Sequence, residues 1–139
     1  MVYRRFGDTF VVRLERGEEI CECLGLMAAQ ENVGLAEISG LGAVDELLIG
    51  VYDVRAQRYA SHPFVGAYEI TSLSGNLTLQ DGAPHAHLHV TAGDIHGNAV
   101  GGHLLQATVS ATAEIFVRVL PGRVERFHDE ELGIELMGI

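Results

Sequence analysis

The stretch HAHLHVTAGDIHGNAVGGHLLQA, residues 85–107, predicts a β-hairpin around which the rest of the fold can be worked out. Two strand candidates, 85–92 and 99–107, flank a turn-rich loop centred near residue 95 or 96. Antiparallel pairing about that centre gives partner numbers that sum to about 190 to 192. This register predicts that His103 lies across from residues 87–89, directly opposite His87 or His89.

The segments on either side of the hairpin predict an α+β fold. A helix is predicted from Glu18 to about Asn32, because Ile20, Leu24 and Met27 recur on one helical face. One early helix followed by many strands is typical of a mostly antiparallel β-sheet packed with that one main N-terminal helix. The other strand candidates are Asp8–Glu15, Leu35–Ser39, Leu47–Asp53, Arg58–His62, Ala67–Leu73, Leu77–Leu79, Val100–Ser110 and Ala113–Leu120.

The sequence gives no sign of a domain boundary, since it has no linker, low-complexity tract or internal repeat. We therefore expect one domain over residues 1–139. The last apolar segment, Ile134–Met137, is expected to return to the main sheet. The acidic cluster Asp129–Glu131 that precedes it is interpreted as a solvated turn.

The composition of the 139 residues excludes several classes of function. All nine basic side chains are arginine, so a Schiff-base lysine and a phosphate-loop lysine are both excluded. Nineteen acidic residues give a net charge of −10, which opposes nucleic-acid binding by the chain alone. The local basic clusters are three arginine pairs, interpreted as solvated surface: Arg4 with Arg5, Arg55 with Arg58, and Arg123 with Arg126.

The two cysteines and the lengths of the apolar runs indicate the cellular compartment of the protein. Cys21 and Cys23 are separated by one residue in the predicted helix and would point about 200° apart, so they form neither a disulfide framework nor a metal clip. This usage fits a reducing compartment, and the N-terminus lacks the apolar region of a signal peptide. Apolar runs fall short of the ~20 residues of a membrane helix. We expect a soluble, cytoplasmic protein without membrane contact.

Histidines carry the strongest chemical signal, because five of the seven lie between residues 85 and 103. Alternate residues of a strand share a face at a spacing of about 6.6 to 6.8 Å, so His85, His87 and His89 point the same way. All three span too great a distance to converge on one ion, but two of them with a neighbouring strand's residue would suffice. We predict one cluster of His87, His89 and His103, with His85 at its edge and His96 solvated on the loop tip.

Three neutral imidazoles suit a divalent metal, zinc above all, and leave a fourth position open for chemistry. A competing interpretation is that these histidines are half-exposed polar residues or pack at a subunit contact.

Glu114, on the apolar strand candidate 113–120, is a candidate general base or a residue that orients a ligand histidine. It is also interpretable as an edge carboxylate in water. Gly40–Val44 lacks the third glycine and the following helix of a dinucleotide site.

The order of motifs resembles the plant and prokaryote conserved domain family, called PPC or PCC and often labelled as having a PD1-like DNA-binding motif. The combination of His-x-His with Gly-Gly-His some fourteen residues later is fairly specific, and the resemblance covers nearly the whole chain. The matching stretches are residues 10–18 (FVVRLERGE), 40–43 (GLGA), 68–76 (YEITSLSGN), 81–82 (DG), 87–89 (HLH), 101–104 (GGHL) and 112–115 (TAEI).

This resemblance implies a homotrimer with the histidine cluster near a subunit interface, and a metal there in some prokaryotic members. It also implies a DNA-associated or regulatory role. Plant members carry AT-hook segments and a Gly-Arg-Phe-Glu-Ile-Leu stretch that contacts nuclear proteins. This sequence has no Arg-Gly-Arg-Pro hook, and Ala67 stands where that stretch has arginine.

Two alternatives stay open beside the DNA-associated role. The expected fold is also similar to that of acetolactate decarboxylase, which holds zinc through three histidines. That resemblance implies a small zinc-dependent enzyme, a lyase or hydrolase, although fold alone says little about substrate. The second alternative is a structural oligomer in which the metal has no catalytic role and only holds the subunits together.

Overall fold

The computed structural model describes residues 1–139 as one helix and eight strands. Six strands form one sheet in the order β1-β2-β6-β3-β4-β5, and all its pairings are antiparallel. Because β5 also pairs with β6, strands β3 to β6 close into a ring. The elements are β1 (Val2–Phe6), β2 (Thr9–Glu15), α1 (Ile20–Gln30), β3 (Ala36–Asp53), β4 (Arg58–Gln80), β5 (Ala83–Asp94), β6 (Ala99–Val119), β7 (Arg126–Asp129) and β8 (Ile134–Met137).

The helix has the predicted apolar face but is shorter at both ends than predicted. It begins after Glu19, whose carboxylate accepts a hydrogen bond from the backbone N–H of Glu22 at 2.6 Å and so caps the first turn. Ile20, Leu24 and Met27 are fully buried. They join a core cluster of 26 buried residues, and the helix contacts β5 and β6. The helix therefore packs against the two strands that carry most of the histidines.

The strands are longer than predicted, because several glycines that look like turn residues lie inside continuous strands. The candidates 35–39 and 47–53 are both part of β3, three candidates merge into β4, and two merge into β6. A Cβ built on Gly42 would lie 2.7 Å from Cα of Ala113 on β6. Glycine is needed here for close approach of two strands, and the pairing register shifts on either side of it.

The C-terminal segment does not return to the main sheet, so that prediction is wrong. Strands β7 and β8 pair with each other in a separate two-stranded sheet. The carboxylate of Asp129 accepts hydrogen bonds from the N–H groups of Glu131 and Leu132, which closes a tight turn between the two strands. This turn pairs residues 134–137 with residues 126–129 instead of with the larger sheet. No helix of the structure is long and apolar enough to cross a bilayer.

Candidate metal centre and its cavity

The β5–β6 hairpin brings the predicted histidines together. His89 lies directly opposite His103, so the partner numbers sum to 192, within the predicted range. His87 precedes His89 by two residues and shares its face of β5. One ring nitrogen from each of the three side chains lies within 4.8 Å of the other two. The ring centroids are 4.9 to 5.5 Å apart.

The arrangement of these nitrogens fits a divalent transition metal. Nε2 of His87 and Nε2 of His89 are 3.3 Å apart. Two nitrogens bound at 2.0–2.1 Å with a tetrahedral angle between them would be roughly 3.3–3.4 Å apart. Nδ1 of His103 is buried and has no hydrogen-bond partner, which is costly for a polar atom. A three-imidazole donor set with one unsatisfied nitrogen is suited to zinc or a similar ion.

Arg126 of β7 contacts the ring of His87. Its Nη2 lies 3.3 Å from Nδ1 of His87 and donates to Oδ1 of Asn76 at 2.9 Å. Its Nε donates to Thr78, and its Nη1 donates to the backbone carbonyl of Glu135. A guanidinium only donates, so in the metal-free protein Nδ1 of His87 is the acceptor and Nε2 carries the ring proton, which would have to leave Nε2 before a metal could bind there. Arg126 therefore helps to orient the ring of His87.

The environment keeps His87 and His103 neutral at pH 7. Burial, followed by the neighbouring charges of His103 and Arg126, lowers the pKa of His87 from 6.5 to about 4. Burial is also the first cause of the lowered pKa of His103, followed by the charges of His89 and His85. The neutral imidazole is the form that binds a metal.

The other sequence candidates lie in different places. His85 lines the same cavity but is outside the group of three, at its edge as predicted. His96 is exposed at the tip of the hairpin, where its backbone N–H donates to Asp94. Glu114 is exposed on β6, opposite Arg13 of β2 and Leu41 of β3, and does not line the cavity. The structure does not bring Glu114 to the histidines.

The three histidines line one side of a cavity of about 670 Å³. The other walls come from the β3–β4 hairpin and from β7 and β8, which are joined where the hydroxyl of Tyr52 donates to the carbonyl of Leu132 at 2.8 Å. The ring of Tyr59 lies 5.1 Å from that of His103, centroid to centroid. The further lining residues are Gly50, Val51, Gln57, Arg58, Gly102, Arg126, His128, Gly133, Ile134 and Glu135.

Sequence reasoning missed the residues that the C-terminal hairpin brings to this cavity. Arg126 is buried, which corrects the interpretation of its pair with Arg123 as solvated surface. Arg58 is exposed but lines the cavity. Nδ1 of His128 lies 2.9 Å from Oε1 of Glu135, its partner across the β7–β8 pairing. Residues 125–129 (ERFHD) contain one apolar side chain among polar and charged ones, and nothing local indicated what the segment would pack against.

Comparisons with known proteins agree with the sequence resemblance. The sequence profile of the Plants and Prokaryotes Conserved (PCC) domain matches residues 1–121. A search of curated proteins gave no match.

Three solved structures share the fold over nearly their whole length. A "putative dna binding protein" from Bacteroides thetaiotaomicron is 26% identical, with 99% of this chain and 96% of that chain covered and a TM-score of 0.95. A plant- and prokaryote-conserved (PPC) protein from Pyrococcus horikoshii is 32% identical, with coverages of 99% and 94% and a TM-score of 0.88. A metal-containing protein from Archaeoglobus fulgidus is 34% identical, with coverages of 100% and 99% and a TM-score of 0.90.

Proposed function

Because the chain belongs to the Plants and Prokaryotes Conserved (PCC) domain family, we propose that it is a metal-binding member whose divalent ion, zinc, is held by His87, His89 and His103. The observation that carries this proposal is the 3.3 Å separation of Nε2 of His87 from Nε2 of His89, with a nitrogen of His103 in the same cluster. The 34% identical metal-containing protein of Archaeoglobus fulgidus supports it. We also propose that residues 1–139 act as one domain.

When bound, zinc would supply a Lewis acid with an open coordination position. The chain's own residues prepare the site for it. Arg126 lies against the ring of His87, and the lowered pKa values of His87 and His103 mean that neither ring takes up a second proton at pH 7. The hydroxyl of Tyr52 and the turn at Leu132 close the side of the cavity away from the histidines.

The experiment that tests the metal proposal is elemental analysis of purified protein, followed by a thermal shift assay of chelator-treated protein with zinc. We expect about one equivalent of a divalent metal per chain, or a clear rise in Tm when zinc is returned, since a ligand that binds only the native state stabilises it. Protein that contains no metal and shows no shift with zinc would refute the proposal.

For the biological role, we propose a DNA-associated or regulatory function carried out by a homotrimer. The support is the family and the name of the Bacteroides thetaiotaomicron structure, called a "putative dna binding protein". The charge of −10 opposes tight binding by the chain alone. Titration of a mixed-sequence duplex at about 50 mM salt is decisive, because non-specific affinity is greatest at low salt. We expect binding that weakens steeply as salt rises; no binding at low salt would remove this role from the isolated chain.

A small zinc-dependent enzyme, a lyase or hydrolase, is the second candidate, and the cavity is the observation that favours it. Its volume of about 670 Å³ lies within the usual range of ligand sites, about 300–1,000 Å³. His128 and Glu135 form a hydrogen-bonded pair in its wall and can hold and move a proton. They replace Glu114 as the candidate acid–base group. Loss of turnover in His128→Asn with metal retained would support this candidate once a substrate is known.

A further inference from the structure

Arg126 is a buried cation without an anionic partner. The residue is 9% exposed, yet no carboxylate lies within 4.0 Å of its guanidinium nitrogens. The four acceptors that it contacts are all neutral, namely Thr78, Asn76, the backbone carbonyl of Glu135 and His87. Buried charges are ordinarily paired, because removing an ion from water is costly. The metal proposal does not explain this unpaired charge, and a second cation nearby would add to it.

The only carboxylate in the cavity wall is already engaged. Oε1 of Glu135 lies 2.9 Å from Nδ1 of His128. With neutral histidines, Arg58 and Arg126 contribute +2 and Glu135 contributes −1, so the wall carries 2 − 1 = +1. A divalent ion would raise this to +3. The cavity is thus positive in a chain whose net charge is −10, and it lacks a matching anion.

The size and the wall of the cavity indicate an organic anion. A volume of about 670 Å³ is far larger than one inorganic oxyanion needs. Val51, Tyr52, Tyr59 and Ile134 line it beside the charged groups. Ligand sites typically combine such an apolar wall with a few polar groups that fix orientation. Arg126 has five N–H donors and four contacts, which leaves one N–H for a ligand.

We propose that this cavity binds a small organic carboxylate, recognised through its charge by Arg126 and Arg58. This proposal deepens the proposed function, since His87, His89 and His103, which would hold the metal, line the same cavity as the two arginines. Its dependence on the proposed metal centre is partial, because Arg126 and Arg58 line the cavity whether or not a metal ion is bound.

The test uses the full chain, with and without zinc, and three matched pairs of probes: acetate with acetamide, butyrate with butyramide, and benzoate with benzamide. Each pair has nearly the same shape and differs in charge. Calorimetric or NMR titration should give at least one carboxylate a Kd about tenfold lower than that of its amide, as expected for hydrogen bonds to a charged group. Equal affinities within every pair, or no binding of any probe, would overturn the proposal. If inorganic phosphate binds as tightly as the best carboxylate, the claim that the site prefers an organic anion is overturned.

Variants on one hairpin provide a matched control. Arg58→Gln removes a cavity charge, whereas Arg55→Gln removes the same charge three residues away, outside the cavity wall. We expect Arg58→Gln to weaken carboxylate binding several-fold and leave amide binding unchanged, and Arg55→Gln to behave like the original protein. Arg126→Gln should weaken it about tenfold. Should that variant fail to fold, the Arg58 and Arg55 pair decides: equal effects of the two would overturn the proposal.

Metal content measured on the same samples separates this proposal from the proposed function. Carboxylate preference in protein that binds no zinc would support the anion site and refute the metal centre. Bound zinc without a preference for carboxylates would support the metal centre and refute the anion site.

Discussion

At the scale of single residues, His87 has the most constrained position in the site. It is flanked by His85, His89, His103 and Arg126, and Glu135 is the one carboxylate of the cavity wall. Burial and these positive neighbours give it a pKa of about 4, well below the 6.5 of an ordinary histidine. His87 is therefore neutral in the native state under conditions where the unfolded chain would already be protonated.

This difference predicts an acid-sensitive metal-free protein. As pH falls below 6.5, the unfolded chain binds protons that His87, His85 and His103 in the native state do not accept until lower pH. The free energy of unfolding should therefore fall between pH 6.5 and about 4 and change little through these groups above 6.5. Urea unfolding of chelator-treated protein at pH 7.5, 6 and 5, at one protein concentration, measures it.

Two comparisons make the acid prediction specific. His87→Asn should reduce the loss of stability between pH 7.5 and 5, whereas His96→Asn, at the exposed hairpin tip, should not. A free energy of unfolding that is the same at pH 7.5 and 5 in metal-free protein would contradict the assigned burial of these histidines.

At the scale of elements, the site depends on how closely β4 and β5 approach each other. A Cβ built on Gly75 of β4 would lie 2.0 Å from the backbone oxygen of His87. Gly75→Ala must therefore push β5 outward at the residue that carries a ligand. We expect a loss of about 1–3 kcal/mol in the free energy of unfolding, as for other overpacked sites, together with weaker zinc binding.

The matched control for Gly75 is Gly25, in the middle of α1. A Cβ there would meet nothing within 4 Å. Gly25→Ala should raise the free energy of unfolding by about 0.5–1 kcal/mol through helix propensity and leave zinc binding unchanged. If urea unfolding gives Gly75→Ala and the original protein the same free energy of unfolding, the prediction is contradicted, because β4 and β5 would then move apart without an energetic cost.

Elements also show how far the sequence could predict the structure. The apolar period of Ile20, Leu24 and Met27 identified the helix, and the loop centre near residue 95 was enough to pair His103 with His89. Both signals are local. Glycines such as Gly42 were ambiguous, because close strand packing and a turn both favour a residue without a side chain.

The cavity could not be predicted because its walls join residues far apart in the chain. Arg126 contacts Thr78 across 48 positions, and Tyr52 contacts Leu132 across 80. No periodicity in the sequence encodes such pairings. The same is true of the separate β7–β8 sheet, since the apolar segment 134–137 would suit a pairing with either sheet.

At the scale of the whole molecule, exposed apolar side chains favour assembly. Leu41, Val51, Val65 and Phe116 are exposed, with Val65 reaching 82%, and they lie on β3, β4 and β6. The single helix packs against β5 and β6 and cannot cover all of this surface. Closed homo-oligomers are a common way to bury such surface.

We therefore predict a homotrimer, the assembly that the family resemblance implies. Analytical ultracentrifugation at pH 7.5 should report about three times the chain mass of 15.0 kDa. Val65→Glu should weaken the assembly, whereas Ile95→Glu, on the exposed hairpin tip, is the matched control. A chain that stays monomeric at tens of micromolar would contradict the trimer.

The most direct test of the central claim is the zinc stoichiometry of four proteins after chelation and reloading: the original chain, His87→Ala, His103→Ala and His96→Ala. The metal centre described here predicts about one zinc per chain for the original and for His96→Ala, and loss of tight binding in the other two. Zinc bound equally by all four proteins, or by none, would contradict it.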